Sequence, residues 1–198
     1  EEWLDYELGE TFEIGEGKTG TYYLHIKAIT DKAGNEAKVE TIKIELDSKY
    51  APKSVENFIK LIKQNYFDGT VFHRIIDNFM IQTGGYKVED NTLMELPKTE
   101  SIEGEFASNG HPENDLKHEL GVISMARTSD KNSATSQFFI CAATCPWLDG
   151  EYAAFGKTID EESKQVVLEV SQMPTGNLGG GFTDFPYELI GIKTINLL

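Results

Sequence analysis

Eight short segments rich in β-branched and aromatic residues recur along this chain: TYYLHIKAI (21–29), TIKIEL (41–46), TVFHRII (70–76), FMIQ (79–82), GVISMA (121–126), SQFFICA (136–142), YAAFGK (152–157) and ELIGIKTINL (188–197). Each has the length and composition of a strand. Gly, Asn and Asp punctuate the connections, as at DKAGNEAK (31–38), Asp68–Gly69, Asp77–Asn78, Asn109–Gly110 and Asp149–Gly150. TIKIEL alternates Ile42, Ile44 and Leu46 with Lys43 and Glu45, the pattern of a half-buried strand. Only two stretches carry a helical period. After Pro52, which suits a first helical turn, Val55, Phe58, Ile59 and Ile62 share one face. A second helix over about 161–172 places Val166, Val167 and Val170 together. Residues 86–117 are polar and read as loop. Many strands with two well-separated helices predict a mainly β fold, a closed barrel capped by helices. A sandwich with helical insertions would show the same periodicity.

The chain has 198 residues, enough for one domain, or one domain with an appendage, and for a sizeable core. Its 18 Lys and Arg against 33 Asp and Glu leave a net charge of -15. That excess argues against nucleic acid or an anionic membrane as the main partner. No apolar run approaches the roughly 18 residues that span a bilayer, and no signal peptide opens the sequence. It begins at Glu1 rather than Met, as a processed or excised piece would. Cys141 and Cys145 are too few for a disulfide framework, and Cys141 ends an apolar run, so a buried thiol is expected there. His25, His73, His111 and His118 show no metal-ligand spacing with them. No metal or other cofactor is expected.

The stretch FHRIIDNFMIQTGG (72–85) sets Arg74 and Gln82 among Phe72, Ile75, Ile76, Phe79, Met80 and Ile81. Arginine is seldom buried without a partner. Strand alternation puts Phe72, Arg74 and Ile76 on one side, and Val71, His73 and Ile75 on the other. One side then forms core while the other lines a groove, with His73 pointing away from it. The plainer alternative is an arginine whose stem covers apolar surface and whose head reaches water or a carboxylate. Two further segments favour the groove. SQFFI (136–140) again mixes amide with aromatics, and PWLDGEYAAFG (146–156) offers Trp147–Leu148 before a turn.

These motifs, with GVISMA and FGK, occur in the order and near the spacing found in cyclophilins, the peptidyl-prolyl cis–trans isomerases. The resemblance spans about residues 40–198, and GEFASNG…NDLKHELGVISMAR is similar to bacterial members in particular. It implies an eight-stranded antiparallel barrel with a helix at each end and a groove on its outer face. Arg74, with Phe79 and Gln82, matches the catalytic set. Phe79, Met80, Phe139 and Leu148 match the pocket that holds the proline ring. Gln82 and Gln137 match the polar groups beside the substrate backbone, Ala126 and Trp147 the neighbouring rim, and Tyr152 the pocket edge. The implied partners are Pro-containing polypeptides, and the expected state is a monomer.

The reaction explains the residue types. Amide resonance sets a barrier of ∼18–20 kcal/mol to rotation, so X–Pro exchange takes tens to hundreds of seconds. No bond breaks, so neither nucleophile nor metal is called for. The site must favour a twisted amide over both planar forms. A dry pocket clamps the ring, and a fixed donor meets the lone pair that appears on the prolyl nitrogen as resonance is lost. Arg74 supplies donors that stay charged at neutral pH. An acceleration of about 10⁵ corresponds to roughly 7 kcal/mol.

Several positions depart from the family pattern. Tyr152 stands where many eukaryotic members carry His, Arg127–Thr128 where Asn–Ala is common, and Gly85 where Asp is frequent. Arg127 adds charge and bulk to the rim, which bears on substrate preference and on affinity for cyclosporin. Trp147, which the family uses to contact that drug, is kept, so cyclosporin is a candidate ligand. GNLGGG (176–181) lacks the Lys–Ser/Thr of a phosphate-binding loop and reads as a flexible connection.

Residues 1–38 resemble part of a bacterial immunoglobulin-like surface repeat, on GTYYLHIKA and DKAGN. Yet TYYLHIKAI falls where the first barrel strand belongs. The expected division is therefore an amino-terminal extension over 1–20 and an isomerase domain over 21–198. Two other readings stay open. One is a groove that binds Pro segments without turnover, and the other is part of a surface protein. The compartment is open too, with a lean to extracytoplasmic from the amino-terminal segment.

Overall fold

The computed structural model describes residues 20–28, 39–90 and 92–197. The elements run β1 (Gly20–Ala28), β2 (Val39–Leu46), α1 (Pro52–Lys63), β3 (Arg74–Ile76), β4 (Met80–Thr83), β5 (Tyr86–Glu89), β6 (Thr92–Glu95), β7 (Val122–Met125), β8 (Phe138–Cys141), β9 (Ala154–Thr158), α2 (Glu161–Ser171), β10 (Thr175–Gly176), β11 (Phe185–Pro186) and β12 (Ile190–Leu197). The immunoglobulin-like reading of residues 1–19 and 29–38 lies outside the described residues.

Eight strands form one sheet in the order β12-β1-β2-β9-β7-β8-β4-β3. Every neighbouring pair is antiparallel. The segment leading into β3 reaches the opposite edge strand. Gly69 N donates to Ile192 O, Ile192 N to Thr70 O and Phe72 N to Ile190 O, at 2.7–2.8 Å. The sheet therefore curls far enough for residues 69–72, just before β3, to bond with β12. The inward residues pack into one core, including Ile42, Ile44, Leu46, Ile81, Ile123, Phe138, Ile140 and Phe155. α1 lays its expected face on this core, with Phe58 packed 5.0–5.3 Å from the rings of Phe67, Phe138 and Phe155. α2 begins at Asp160, whose carboxylate caps Ser163 N at 2.8 Å, and buries Val166, Val167 and Val170.

α1 has no cap of its own, because Ala51 stands at its N-cap. A distant residue supplies one. Glu105 is 2 % exposed and accepts from Lys53 N at 2.9 Å, Ser54 N at 2.8 Å and Ser54 Oγ at 2.8 Å. A carboxylate at a helix N-terminus meets both the orphan amides and the favourable end of the dipole. Glu105→Ala is expected to cost about 3 kcal/mol, since bonds to a charged acceptor are worth about 1.5–3 kcal/mol each and a cap about 1 kcal/mol. The melting temperature then falls by roughly 6–12 °C. A thermal melt of the variant checks this, and a shift below about 2 °C would remove Glu105 as the cap.

The structure corrects two sequence expectations. Within 86–117, expected to be loop, residues 86–89 and 92–95 pair as antiparallel strands β5 and β6, with Tyr86 opposite Glu95. More consequential is the stretch 70–76, which is no single strand. His73 N donates to Gln82 O at 3.2 Å, and Arg74 is Gln82's register partner. Two residues thus face one, the two-against-one pattern of a bulge, which shifts alternation by one position. Phe72 consequently joins Ile75 in the core instead of sharing a side with Arg74.

Candidate active site

β3, β4 and β8 bury residues on both faces. Inward go Ile75, Ile81, Phe138 and Ile140. Outward, a second cluster gathers Met80, Phe139, Cys141, Cys145 and Leu148, flanked by Ile76, Phe79, Ala126 and Tyr152. Register fixes who stands beside whom. Arg74 pairs with Gln82, Gln82 with Phe139, and Phe139 with Ser124, a continuous row across four strands. One step along, Ile76, Met80 and Cys141 form the next row. The bulge at His73 is what brings Arg74 onto this outer face.

The ten residues expected at the site therefore come together. Gln82 Nε2 donates to Gln137 Oε1 at 2.9 Å. Gly85 makes room for that amide, since a Cβ there would lie 2.6 Å from Gln137 Nε2. Phe79 and Trp147 pack with ring centroids 5.8 Å apart, and Phe139 meets Tyr152 edge-on at 5.8 Å. Trp147 is 61 % exposed, whereas Phe139 and Leu148 are buried. The result is a lipophilic floor with an aromatic wall on one side and an arginine and two amides on the other.

The partner that Arg74 called for is Asp184, whose Oδ2 lies 3.5 Å from Arg74 Nε. Sequence reasoning gave no means of choosing this carboxylate, which arrives from beyond the Gly-rich loop. Arg127 also takes a role that its sequence position alone did not specify. Its guanidinium lies 4.5 Å from the Tyr152 ring centroid and 5.1 Å from that of Phe106. Two of its nitrogens donate to Glu151 O at 2.9 and 3.1 Å. Stacking and hydrogen bonding hold it at the rim as a brace behind Tyr152.

His73 is buried against Tyr86, with ring centroids 4.7 Å apart, and the Gln137 side chain meets its imidazole. Burial, with Arg74 beside it, pushes its imidazole down from 6.5 to about 4. Burial likewise lowers His118. The folded pKa lies below the unfolded one, so the unfolded chain takes up the proton first. Stability is intact above about pH 6.5 and falls as pH drops toward 4. At 1.36 kcal/mol per pH unit, His73 contributes a loss of about 3 kcal/mol across that window. Denaturant melts between pH 7 and pH 4 check the slope, which His73→Gln should flatten. An unchanged slope would contradict the neutral buried imidazole.

Cys141 and Cys145 are free and buried, and burial pushes both thiols up. They serve as packing atoms in the floor. A cavity of about 590 Å³ between α1 and residues 99–103 shares no residue with the groove. Lys53–Glu103 and Lys60–Glu100 pairs lie along it.

The family model for the cyclophilin type peptidyl-prolyl cis–trans isomerases matches residues 33–197. The chain belongs to the cyclophilin family. It is 42% identical over 164 residues to a peptidyl-prolyl cis–trans isomerase of Acinetobacter baylyi, covering 78% of this chain and 81% of that protein. It is 37% identical over 172 residues to peptidyl-prolyl cis–trans isomerase A of Dickeya dadantii, covering 84% and 78%. Among solved structures, a cyclophilin type isomerase of Cryptosporidium parvum aligns with a TM-score of 0.62 and 27% identity, over 89% of this chain and 98% of that one. The same isomerase in the presence of the dipeptide Ala-Pro aligns equally well, at 28% identity. This cyclophilin is thus a peptidyl-prolyl cis–trans isomerase, and its fold is the mainly β, helix-flanked sheet of the family.

Proposed function

We propose that the outer groove of this cyclophilin is its turnover site, with Arg74 as the catalytic donor. The observation that carries this reading is the register row. Arg74, Gln82 and Phe139 stand side by side on the outer face, next to a buried apolar cluster. In this reading a proline ring enters over Met80, Phe139 and Leu148, and Phe79 and Trp147 close one side. Burial of the ring removes water around the bond that turns. Gln82 and Gln137, tied to each other, hold the backbone that precedes and follows the proline. Arg74 then lies within reach of the prolyl nitrogen. As the amide twists, that nitrogen becomes pyramidal and basic, and a guanidinium N–H meets its lone pair. A donor preorganised in a water-poor site stabilises this state more than either planar form.

Arg127 and Tyr152 set the far rim. Because Arg127 is clamped between two rings, it narrows the approach beside Ala126 without projecting a free charge into the floor. Cyclosporin is a second ligand proposed for the same groove, through the exposed Trp147. The groove completes itself within one chain, which supports action as a monomer on Pro-containing segments of other polypeptides.

A protease-coupled assay on a short X–Pro peptide tests the reading. Isomerisation should accelerate in proportion to enzyme concentration. A chain that binds the peptide without accelerating exchange would instead be a passive Pro-segment binder.

A further inference from the structure

Side chains from three separate segments meet beneath the groove. Ser124 is on β7, His118 lies in the segment before it, and Asp149 follows the short helical turn Pro146–Leu148. Asp149 Oδ1 accepts from the His118 backbone N–H at 2.9 Å and lies 3.1 Å from ring Nδ1. At the far side of the ring, Nε2 lies 3.1 Å from Ser124 Oγ. The carboxylate selects the tautomer with Nδ1 protonated, so Nε2 accepts and the serine hydroxyl donates. Lys117 Nζ holds the other Asp149 oxygen at 3.4 Å. His118 O accepts from Cys145 N at 2.7 Å. The imidazole is stacked on Phe139, with centroids 6.1 Å apart and 19° between planes.

Serine, histidine and aspartate in this sequence of contacts have the wiring of an acyl-transfer triad. Access excludes that chemistry. Ser124 is wholly buried, and its register partner is Phe139. No substrate carbonyl can reach its oxygen. The relay instead links two parts of the groove. Phe139 belongs to the floor on β8, while Asp149 directly follows the turn that carries Trp147 of the wall and Leu148 of the floor. His118 touches both Phe139 and Asp149, and its backbone ties down Cys145 at the start of that turn.

We propose that His118 is a positioning residue of the isomerase site, holding Phe139 on β8 and the Trp147–Leu148 turn at a fixed separation through Asp149 and Ser124. This rests on the reading of the groove as the turnover site. Both border the place of the proline ring, so their spacing decides how the ring is presented to Arg74. A misplacement of about 1 Å is enough to lower a rate substantially.

The test uses the whole chain with ¹³C-methyl methionine. His118→Phe keeps an aromatic ring, somewhat larger than imidazole, and deletes both side-chain hydrogen bonds. The expected result is a kcat about tenfold lower with KM changed less than about twofold, because presentation rather than capture is lost. The Met80 methyl resonance, which packs beside Phe139, should move, while that of Met173 stays. His118→Asn keeps a donor toward Asp149 and should fall between His118→Phe and the parent on both readouts. It decides the matter if His118→Phe does not fold. A lower melting temperature with unchanged kcat and an unchanged Met80 resonance would overturn the proposal, leaving His118 as ordinary core. If the parent chain itself fails to turn over a Pro peptide, the reading of the groove falls, and the Met80 resonance alone then decides whether His118 sets its geometry.

Discussion

Replacing Arg74 by Ala should lower kcat/KM on an X–Pro peptide about a hundredfold, a loss of about 2.7 kcal/mol of barrier stabilisation. The size follows from what the side chain is asked to do. No bond is made or broken, so the rate depends on positioning and on one well-placed charged donor. The fold should survive the change. The Arg74 side chain is 44% exposed, and its carboxylate partner Asp184 is 32% exposed. An ion pair open to water contributes about 0–1 kcal/mol, so the melting curve should scarcely move. Arg74→Lys restores charge but not the planar fork, and should recover part of the rate. Coupled-assay kinetics beside thermal melts provide the check. Full turnover in Arg74→Ala would remove the guanidinium from the mechanism.

Deleting residues 1–30 should abolish cooperative folding. β1 is an interior strand of the sheet, paired from Tyr22 to Ala28 with β12 and from Gly20 to Lys27 with β2. Its removal leaves two long strands with unpaired backbone donors and acceptors, each costly when kept from water. It also opens two edges to other chains. β12 would remain attached only through its bonds to residues 69–72. The combined loss approaches the ∼5–15 kcal/mol that holds an ordinary domain together. A deletion ending at residue 19 is proposed to be tolerated, since it spares every pairing of β1. Calorimetry of both truncations decides between them. A sharp, active melt after removal of residues 1–30 would show that β1 is dispensable, and the division into an extension and a domain would need redrawing.

The sequence was most informative where local pattern and burial agree. α1 was legible from Val55, Phe58, Ile59 and Ile62, and α2 from its three valines. The floor was legible from motifs because Met80, Gln82 and Phe139 sit in strands whose alternation is regular. Phe72 is hard to place because a bulge is a property of two strands together, and alternation within one strand carries no trace of it. The pairing of β5 with β6 is hard to read because each strand is only four residues long, although Tyr86 and Val88 alternate with Lys87 and Glu89 as strand residues do. Glu105, Asp149 and Asp184 are ordinary carboxylates in an acidic chain. Their partners are far away in sequence, and only the folded arrangement shows which of them caps a helix, fixes a histidine or meets Arg74.

β4 and β8 carry core on one face and pocket on the other, so no scaffold stands between the interior and the substrate. A substitution at Phe138 or Ile140 is one residue from Phe139, through a backbone that cannot shift on one side alone. Evolution cannot then adjust the interior and the specificity of this enzyme independently. Lineages that changed one would have needed compensating changes in the other, and pairs such as Ile140 with Cys141 should drift together across relatives rather than one at a time.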